Sequence, residues 1–341
     1  MPTPAQLPFA ALNGALKAAG EATRLRILAL LAEAELTVSD LTDILRQSQP
    51  RISRHLKLLA EGGLIERFRE GSWAFFRLGE RGGSAELARE LIARLDPADP
   101  TIARDRERLA AVRAARAAAA QAYFGRHAAQ WDRIRKLHVA DASVEDAIRA
   151  ALGDKPFRSL LDLGTGTGRM LELFGPQIER GLGLDLSLDM LALARTRLDR
   201  AGLKHCSVRQ GDIYDLALPK DSFDVVIIHQ VLHFLDDGAR AIREAARVLR
   251  PSGRLLVVDF APHDLEFLRD EHAHRRLGFA PETVAQWMRA AGLDVLLQQS
   301  LAPEPTSQEI ANVKVEGKIA VSLWLGKDQR IALATSAREV A

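Results

Sequence analysis

The residues with most chemistry to offer fall in two groups far apart in the chain. One is acidic and glycine-rich. Asp162 stands two residues ahead of Gly164-Thr165-Gly166-Thr167-Gly168, within and after the apolar run Ser159–Leu163. Glycines let a backbone turn tightly and approach a ligand closely. The next apolar run, Gly181–Leu184, ends in Asp185, a carboxylate able to accept both hydroxyls of a ribose. Leu186 and Met190 follow and would line an adenosine. A third run ends in Asp212 and Ile213, where the acid can accept an adenine amino group. A fourth, Phe223–Ile228, leads into His229 and His233. Two competing motifs are absent. Position 169 is Arg where a dinucleotide fingerprint needs Gly, and no Gly-x-x-x-x-Gly-Lys run cradles a pyrophosphate.

The other group is cationic and hydroxylic. Ile52, Leu56 and Leu59 are spaced four and three apart and should face inward on a helix. That leaves Ser48, Gln49, Arg51, Ser53, Arg54, His55 and Lys57 for solvent or a groove. Hydroxyls, amides and cations are the groups that reach base edges and phosphates. Arg67 and Arg69 add to the set on an alternating run just downstream.

The elements that position these groups follow from pattern. Residues 7–20 read as a first helix, and Thr23 as the cap of a second, Arg24–Ala34. Thr37 to Leu41 opens a third, Arg46–Pro50 breaks it, and a fourth runs over 51–59, with Gly62-Gly63 at its end. Two alternating runs meet at Glu70-Gly71-Ser72 as a hairpin. Helix, turn, helix and basic hairpin make a winged helix-turn-helix. Residues 46–77 hold seven Lys/Arg against three Glu, although the whole chain has a net charge of only +2. In the second half, apolar strands alternate with helices. This predicts a mostly parallel α/β Rossmann-like sheet with ligands at the carboxyl ends of its strands.

Asp96-Pro97-Ala98-Asp99-Pro100 reads as a boundary, and Ile102–Ala122 as a long Ala/Arg-rich helix joining two domains. The expected division is a winged helix over 1–96, a helical linker over 97–122, a ligand-binding α/β domain over 123–330 and a tail over 331–341. A length of 341 residues with 47% apolar content suffices for two cores. No apolar run nears the roughly eighteen residues of a membrane span, and no basic-then-apolar start suggests a secretory leader. Cys206 is the only cysteine, which excludes an internal disulfide and points to a reducing cytoplasm. No metal is expected. Asp270-Glu271-His272-Ala273-His274 has the donors, but residues two apart on a helix point apart.

The first half resembles the ArsR family of winged-helix repressors over about residues 10–95. The resemblance rests on Thr23–Leu28, Ser53-Arg54-His55-Leu56-Lys57-Leu58-Leu59, Gly63-Leu64-Ile65 and the wing. It implies a homodimer, joined through helices near 7–20 and 85–95, on a pseudo-palindromic DNA operator. Metal sensors of that family often carry Cys-x-Cys where this chain has Thr37-Val38-Ser39. Hydroxyls are poor ligands for soft metals, so a signal must enter elsewhere. The second half, about 120–330, resembles class I S-adenosylmethionine-dependent methyltransferases, with Asp162, Gly164, Gly166, Gly168, Asp185 and Asp212 matching their binding pattern. S-adenosylmethionine or S-adenosylhomocysteine is the implied cofactor. Tyr123–His127 and Trp131-Asp132 resemble the lid of small-molecule methyltransferases.

Methyl transfer depends chiefly on alignment, so a base is optional. His229, His233, Asp259 and His263 are the candidates near the strand ends. Arsenite methylation needs several cysteines, and this chain has one. Two functions stay open. One is a regulator using the second domain to sense S-adenosylmethionine or S-adenosylhomocysteine, as fusions tied to the methyl cycle do. The other is a methyltransferase acting on a small-molecule acceptor and carrying an autoregulatory DNA-binding domain.

Overall fold

In the computed structural model, residues 6–70, 73–79, 82–127, 141–153, 156–302, 307–310, 313–316 and 319–330 are described. The chain divides into two units, Met1–Ala119 and Ala120–Ala341.

The first unit begins with helices α1 (Phe9–Ala19) and α2 (Ala22–Glu33), a short strand β1 (Leu36–Thr37), and helices α3 (Val38–Leu45) and α4 (Gln49–Glu61). Strands β2 (Ile65–Glu70) and β3 (Trp73–Leu78) pair antiparallel, with β1 on the other edge of β3. Helix α5 (Gly83–Ala93) follows. Ile27, Leu28, Leu41, Ile44, Ile52, Leu56 and Leu59 are fully buried and form the core. Thr37 and Asp40 close a capping box on α3, each side chain bonding the other's backbone N–H. The tip residues 71 and 72 of the expected hairpin lie outside the described residues.

One expectation needs correction here. Thr23 does not cap α2. Glu21 does, accepting from the Arg24 backbone N–H at 3.0 Å, and Thr23 sits buried inside the first turn. A carboxylate at the position before the helix competes well with a hydroxyl, because it also answers the helix dipole. The long helix α6 (Pro100–His127) makes side-chain contacts to α2 and α3 over its first half. Its Asp105 accepts both Arg26 guanidinium bonds, Arg106 pairs with Glu33, Arg116 pairs with Asp40, and Arg108 and Arg113 donate to the carbonyls of Ile44 and Glu33. Four of its arginines, Arg106, Arg108, Arg113 and Arg116, are thus committed to α2 and α3.

The second unit is a seven-stranded sheet with helices on both faces. In chain order it has α7 (Asp141–Leu152), β4 (Ser159–Leu163), α8 (Arg169–Phe174), β5 (Arg180–Asp185), α9 (Leu188–Arg200), β6 (Cys206–Gln210), β7 (Phe223–His229), α10 (Gly238–Val248), β8 (Leu249–Phe260), α11 (Phe267–His272), α12 (Pro281–Ala290), β9 (Leu293–Leu301), a β10–β11 hairpin (Ser307–Ile310 and Val313–Glu316) and β12 (Val321–Asp328). The sheet order is β6-β5-β4-β7-β8-β12-β9. The first five strands are parallel, and β12 is antiparallel to both its neighbours. Alternation splits the apolar runs. Leu160, Val225, Ile227, Leu256 and Val258 pack on one side, and Leu161, Val226, Ile228, Leu255, Val257 and Trp324 on the other. Burial on both faces explains why these strands are apolar throughout.

Candidate functional site

The glycine loop joins β4 to α8 with Gly164, Gly166 and Gly168 all at positive φ. Only glycine holds such a series without strain. A methyl group on Gly164 would lie 2.4 Å from Val231 Cγ2, so the loop and the turn after β7 touch at that point. Asp162 is buried and accepts from Thr165 Oγ1 at 2.6 Å, so it shapes the loop from within. The amides of Gly164 and Thr165 both donate to the Leu184 carbonyl, at 2.8 and 2.9 Å. That ties the loop to the strand carrying Asp185.

Asp185 is the centre of the site. One carboxylate oxygen accepts the Gly166 N–H at 2.9 Å and the other the Ser187 N–H at 2.8 Å. The side chain is half-buried, and a carboxylate has acceptor sites beyond the backbone N–H groups it already answers. That donor-poor, acceptor-rich geometry fits a vicinal diol such as a ribose. Burial pushes its pKa up, and the backbone N–H groups of Ser187, Gly166 and Leu186 pull the other way. Gly211 donates to the Asp185 carbonyl at 3.1 Å, bringing the loop of exposed Asp212 and buried Ile213 alongside. Met190 is buried in the first turn of α9, and Leu186 is half-buried. His229 ends β7, beside Gly164 in the sheet order, and is half-buried.

Arg169, where a dinucleotide fingerprint has Gly, pairs with Glu145 of α7 through two bonds of 2.7 Å and with Glu172 at 2.6 Å. Arg197 donates to Thr167 Oγ1 at 2.9 Å. Both arginines brace the loop from behind. Pattern reading missed that bracing, because it needs residues from separate helices.

A second cluster gathers beyond β7 and β8. His233 Nδ1 lies 2.8 Å from Asp259 Oδ1, and both side chains are almost wholly buried. The Tyr123 hydroxyl lies 2.6 Å from His272 Nδ1. Burial pushes the Tyr123 hydroxyl up to about 12 and, with the charge of His233, pulls His263 down to about 4. Among the described residues no three His, Cys, Asp or Glu side chains are placed to hold a metal. Tyr123–Arg126 of the expected lid continue α6, and Trp131-Asp132 lie outside the described residues.

In the first unit, Ser48, Gln49, Arg51, Ser53, Arg54 and Lys57 are exposed on or just before α4, and Arg67 and Arg69 are exposed on β2. His55 is the exception and a correction. It is buried, with Nδ1 3.6 Å from Glu21, and burial lowers its pKa despite that carboxylate. Its position three after Ile52 and one before Leu56 puts it on the inner edge of the helix, not its groove face.

Residues 21–67 match the family model described as bacterial regulatory protein, arsR family, and residues 161–257 match that of a methyltransferase domain. The chain joins an ArsR helix-turn-helix to a class I methyltransferase domain. S-adenosylmethionine or S-adenosylhomocysteine is the ligand that this domain type and the Asp185 geometry fit. The uncharacterized methyltransferase YcgJ of Bacillus subtilis is 35% identical over 106 residues, 31% of this chain and 42% of that protein. The arsenite methyltransferase of Aquipseudomonas alcaligenes is 34% identical over 128 residues, 35% of this chain and 34% of that protein. The N-methyltransferase NodS of Bradyrhizobium japonicum, solved with S-adenosyl-L-homocysteine, aligns with a TM-score of 0.43 at 19% identity, covering 56% of this chain and 88% of that one. The chain spans between 36% and 44% of the length of the first curated relatives it matches. Among the described residues no helix is long and apolar enough to cross a membrane.

Proposed function

We propose that this protein is a DNA-binding transcriptional regulator whose methyltransferase domain takes S-adenosylmethionine or S-adenosylhomocysteine as its effector. Helix α6 carries this reading. Its first half is ion-paired to α2 and α3 of the helix-turn-helix. Its last turns supply Tyr123 to His272, Phe124 to Phe234, and Gly125 to the neighbourhood of Asp189, in the first turn of α9 below the Asp185 loop. The effector would settle on that loop in the second unit, and α6 runs on in the chain from the first unit. Coupling follows if the effector binds the DNA-competent and DNA-incompetent forms with different affinity.

In this reading Asp185 holds the ribose and Asp212 the adenine amino group. Leu186, Met190 and Ile213 pack the adenosine, while Gly164, Thr165, Gly166, Gly168 and His229 surround the methionine end. Ser48, Gln49, Arg51, Ser53, Arg54, Lys57, Arg67 and Arg69 face operator DNA. Phe9, Leu12 and Leu16 of α1 are 84%, 38% and 45% exposed, an apolar stripe that supports a homodimer through the first unit. The genes under control belong to methionine and methyl-group metabolism, and the protein works in the cytoplasm.

The test is a titration of DNA from upstream of the protein's own gene, followed by fluorescence anisotropy, with and without each ligand. A several-fold change in DNA affinity is expected. Affinity indifferent to both ligands overturns the effector role.

One observation favours a second reading, an active methyltransferase that also governs its own gene. The buried His233–Asp259 pair has the residue types that general acid–base catalysis uses. When bound, S-adenosylmethionine supplies an electrophilic methyl group. The chain's own part is then to align the acceptor, exclude water and accept a proton. Arsenite is a poor acceptor here, since Cys206 is buried and is the only thiol.

A further inference from the structure

We propose that His55 is a proton-linked switch beneath the DNA-reading helix: duplex DNA bound along α4 drives a proton onto the His55 imidazole, so DNA affinity rises as the medium turns acid. This rests on the DNA-binding reading above and needs no cofactor.

His55 is 9% exposed, whereas Arg51, Ser53, Arg54 and Lys57 around it on α4 are exposed. Among the described residues neither of its ring nitrogens has a hydrogen-bond partner. A neutral imidazole buried in this way leaves a donor and an acceptor unanswered, which costs free energy. A protonated one has an answer at hand. Glu21 Oε2 lies 3.6 Å from Nδ1, and Glu21 is held in place as the cap of α2 by the Arg24 backbone N–H. The ring thus has two states, one neutral with unmet hydrogen bonds and one charged beside a carboxylate.

The charges around the ring decide between them. Glu21 and Arg24 come from the start of α2. Arg51, one turn before, and Arg54, the preceding residue, come from α4 itself. The other elements packed on α4 contribute apolar side chains to the same core, Ala15 and Ala18 of α1, Ile44 of α3 and Ile65 of β2. Burial pulls the His55 pKa below its ordinary value. Glu21 opposes this, and the three guanidinium groups add to it. Arg24 is occupied on α1, donating to the carbonyls of Ala18 and Lys17. Arg51 and Arg54 are exposed, and in the DNA-binding reading they meet phosphates.

A phosphate beside Arg51 and Arg54 offsets their repulsion of a proton on His55, and the charge of the duplex attracts that proton. The ring therefore takes up a proton as DNA binds. Linkage makes the effect mutual, so protonation of His55 strengthens DNA binding by the same factor. The sign follows. The free protein holds His55 neutral near neutral pH, and the DNA complex keeps it protonated to a higher pH. The gain in affinity appears as pH falls through the DNA-bound value and is complete below the free one.

The test is fluorescence anisotropy of the full-length protein with a labelled duplex at fixed ionic strength, from about pH 8 to about pH 5.5, alongside His55→Gln. A duplex of any sequence serves, because phosphates and not bases relieve the repulsion. The parent is expected to gain about three- to tenfold more affinity than His55→Gln over that range, tenfold matching a shift of one pKa unit. In protein labelled with carbon-13 histidine, the His55 ring signal should titrate at higher pH with DNA than without. That signal is the one lost in His55→Gln and displaced in Glu21→Gln. Glu21→Gln, which keeps an oxygen to cap α2, should move the gain in affinity to lower pH. Equal pH slopes in parent and His55→Gln overturn the proposal, as does a gain that Glu21→Gln leaves in place. A His55 titration that DNA leaves unmoved or lowers also overturns it, and this measurement uses the parent, so it decides even where His55→Gln is unstable. Failure of the parent to bind any duplex at low salt sinks the DNA-binding reading itself, and anisotropy tells that outcome apart.

Discussion

Asp185 shows how much one side chain can carry. Its two oxygens hold the glycine loop and the start of α9. Asp185→Ala is expected to cost about 2–3 kcal/mol of S-adenosylhomocysteine binding, roughly 30- to 150-fold, measured by calorimetry. Arg54→Ala is expected to weaken specific DNA binding by about 1–3 kcal/mol if it reads a base, and unchanged anisotropy would remove it from the interface. His55→Ala should act differently. This side chain is buried beneath α4, so its loss should lower unfolding stability more than it alters DNA contacts. His263 gives a pH signature. Burial and the neighbouring His233 hold its pKa near 4 in the fold, and Asp264 and Asp259 oppose this. The unfolded chain, with an ordinary value of about 6.5, then binds the extra proton first. The stability His263 confers is full above about pH 6.5 and falls as pH drops towards about 4. His263→Leu should flatten that part of the urea-stability profile, and an unchanged slope between about pH 7 and about pH 4.5 would refute it.

At the scale of elements, α6 and the glycine loop are the parts that a sequence pattern describes least well. The Ala/Arg-rich composition of Ile102–Ala122 reads as a helix joining two domains. What it holds is set by Glu33, Asp40 and Arg26, from elements more than seventy residues away. Asp105→Ala removes both acceptors from Arg26 and should destabilise the first unit by about 1.5–3 kcal/mol, read by chemical denaturation. It should also make α6 more open to proteolysis, and equal cleavage rates would count against the clamp. For the loop, Gly164→Ala meets both a φ of 69° and the Val231 methyls. A strained left-handed residue costs about 1–3 kcal/mol, so this variant should lose cofactor binding while the winged helix keeps its DNA affinity.

For the whole molecule, the division between Ala119 and Ala120 falls within the residues of α6. The proposed effector role makes a reciprocal demand on the two units. If ligand changes DNA affinity by a given factor, DNA must change ligand affinity by the same factor. Asp185→Ala should abolish that mutual effect without abolishing DNA binding. A variant that still responds to S-adenosylhomocysteine would place the effector elsewhere.

By itself the sequence determined the two architectures and most of the cofactor loop. Apolar runs ending in Gly or Asp, and helical spacing around Ile52, Leu56 and Leu59, are local signals set by burial and backbone geometry. It also determined that Arg169 replaces a fingerprint glycine, but not what Arg169 does. Tertiary structure alone decided the rest. It turned His55 inward against Glu21, replaced Thr23 by Glu21 as a cap, and committed Arg106, Arg108, Arg113 and Arg116 of α6 to α2 and α3. It joined His233 to Asp259 across two strands and Tyr123 to His272 across 149 residues. Such pairings depend on where separate elements meet, and no local period encodes that.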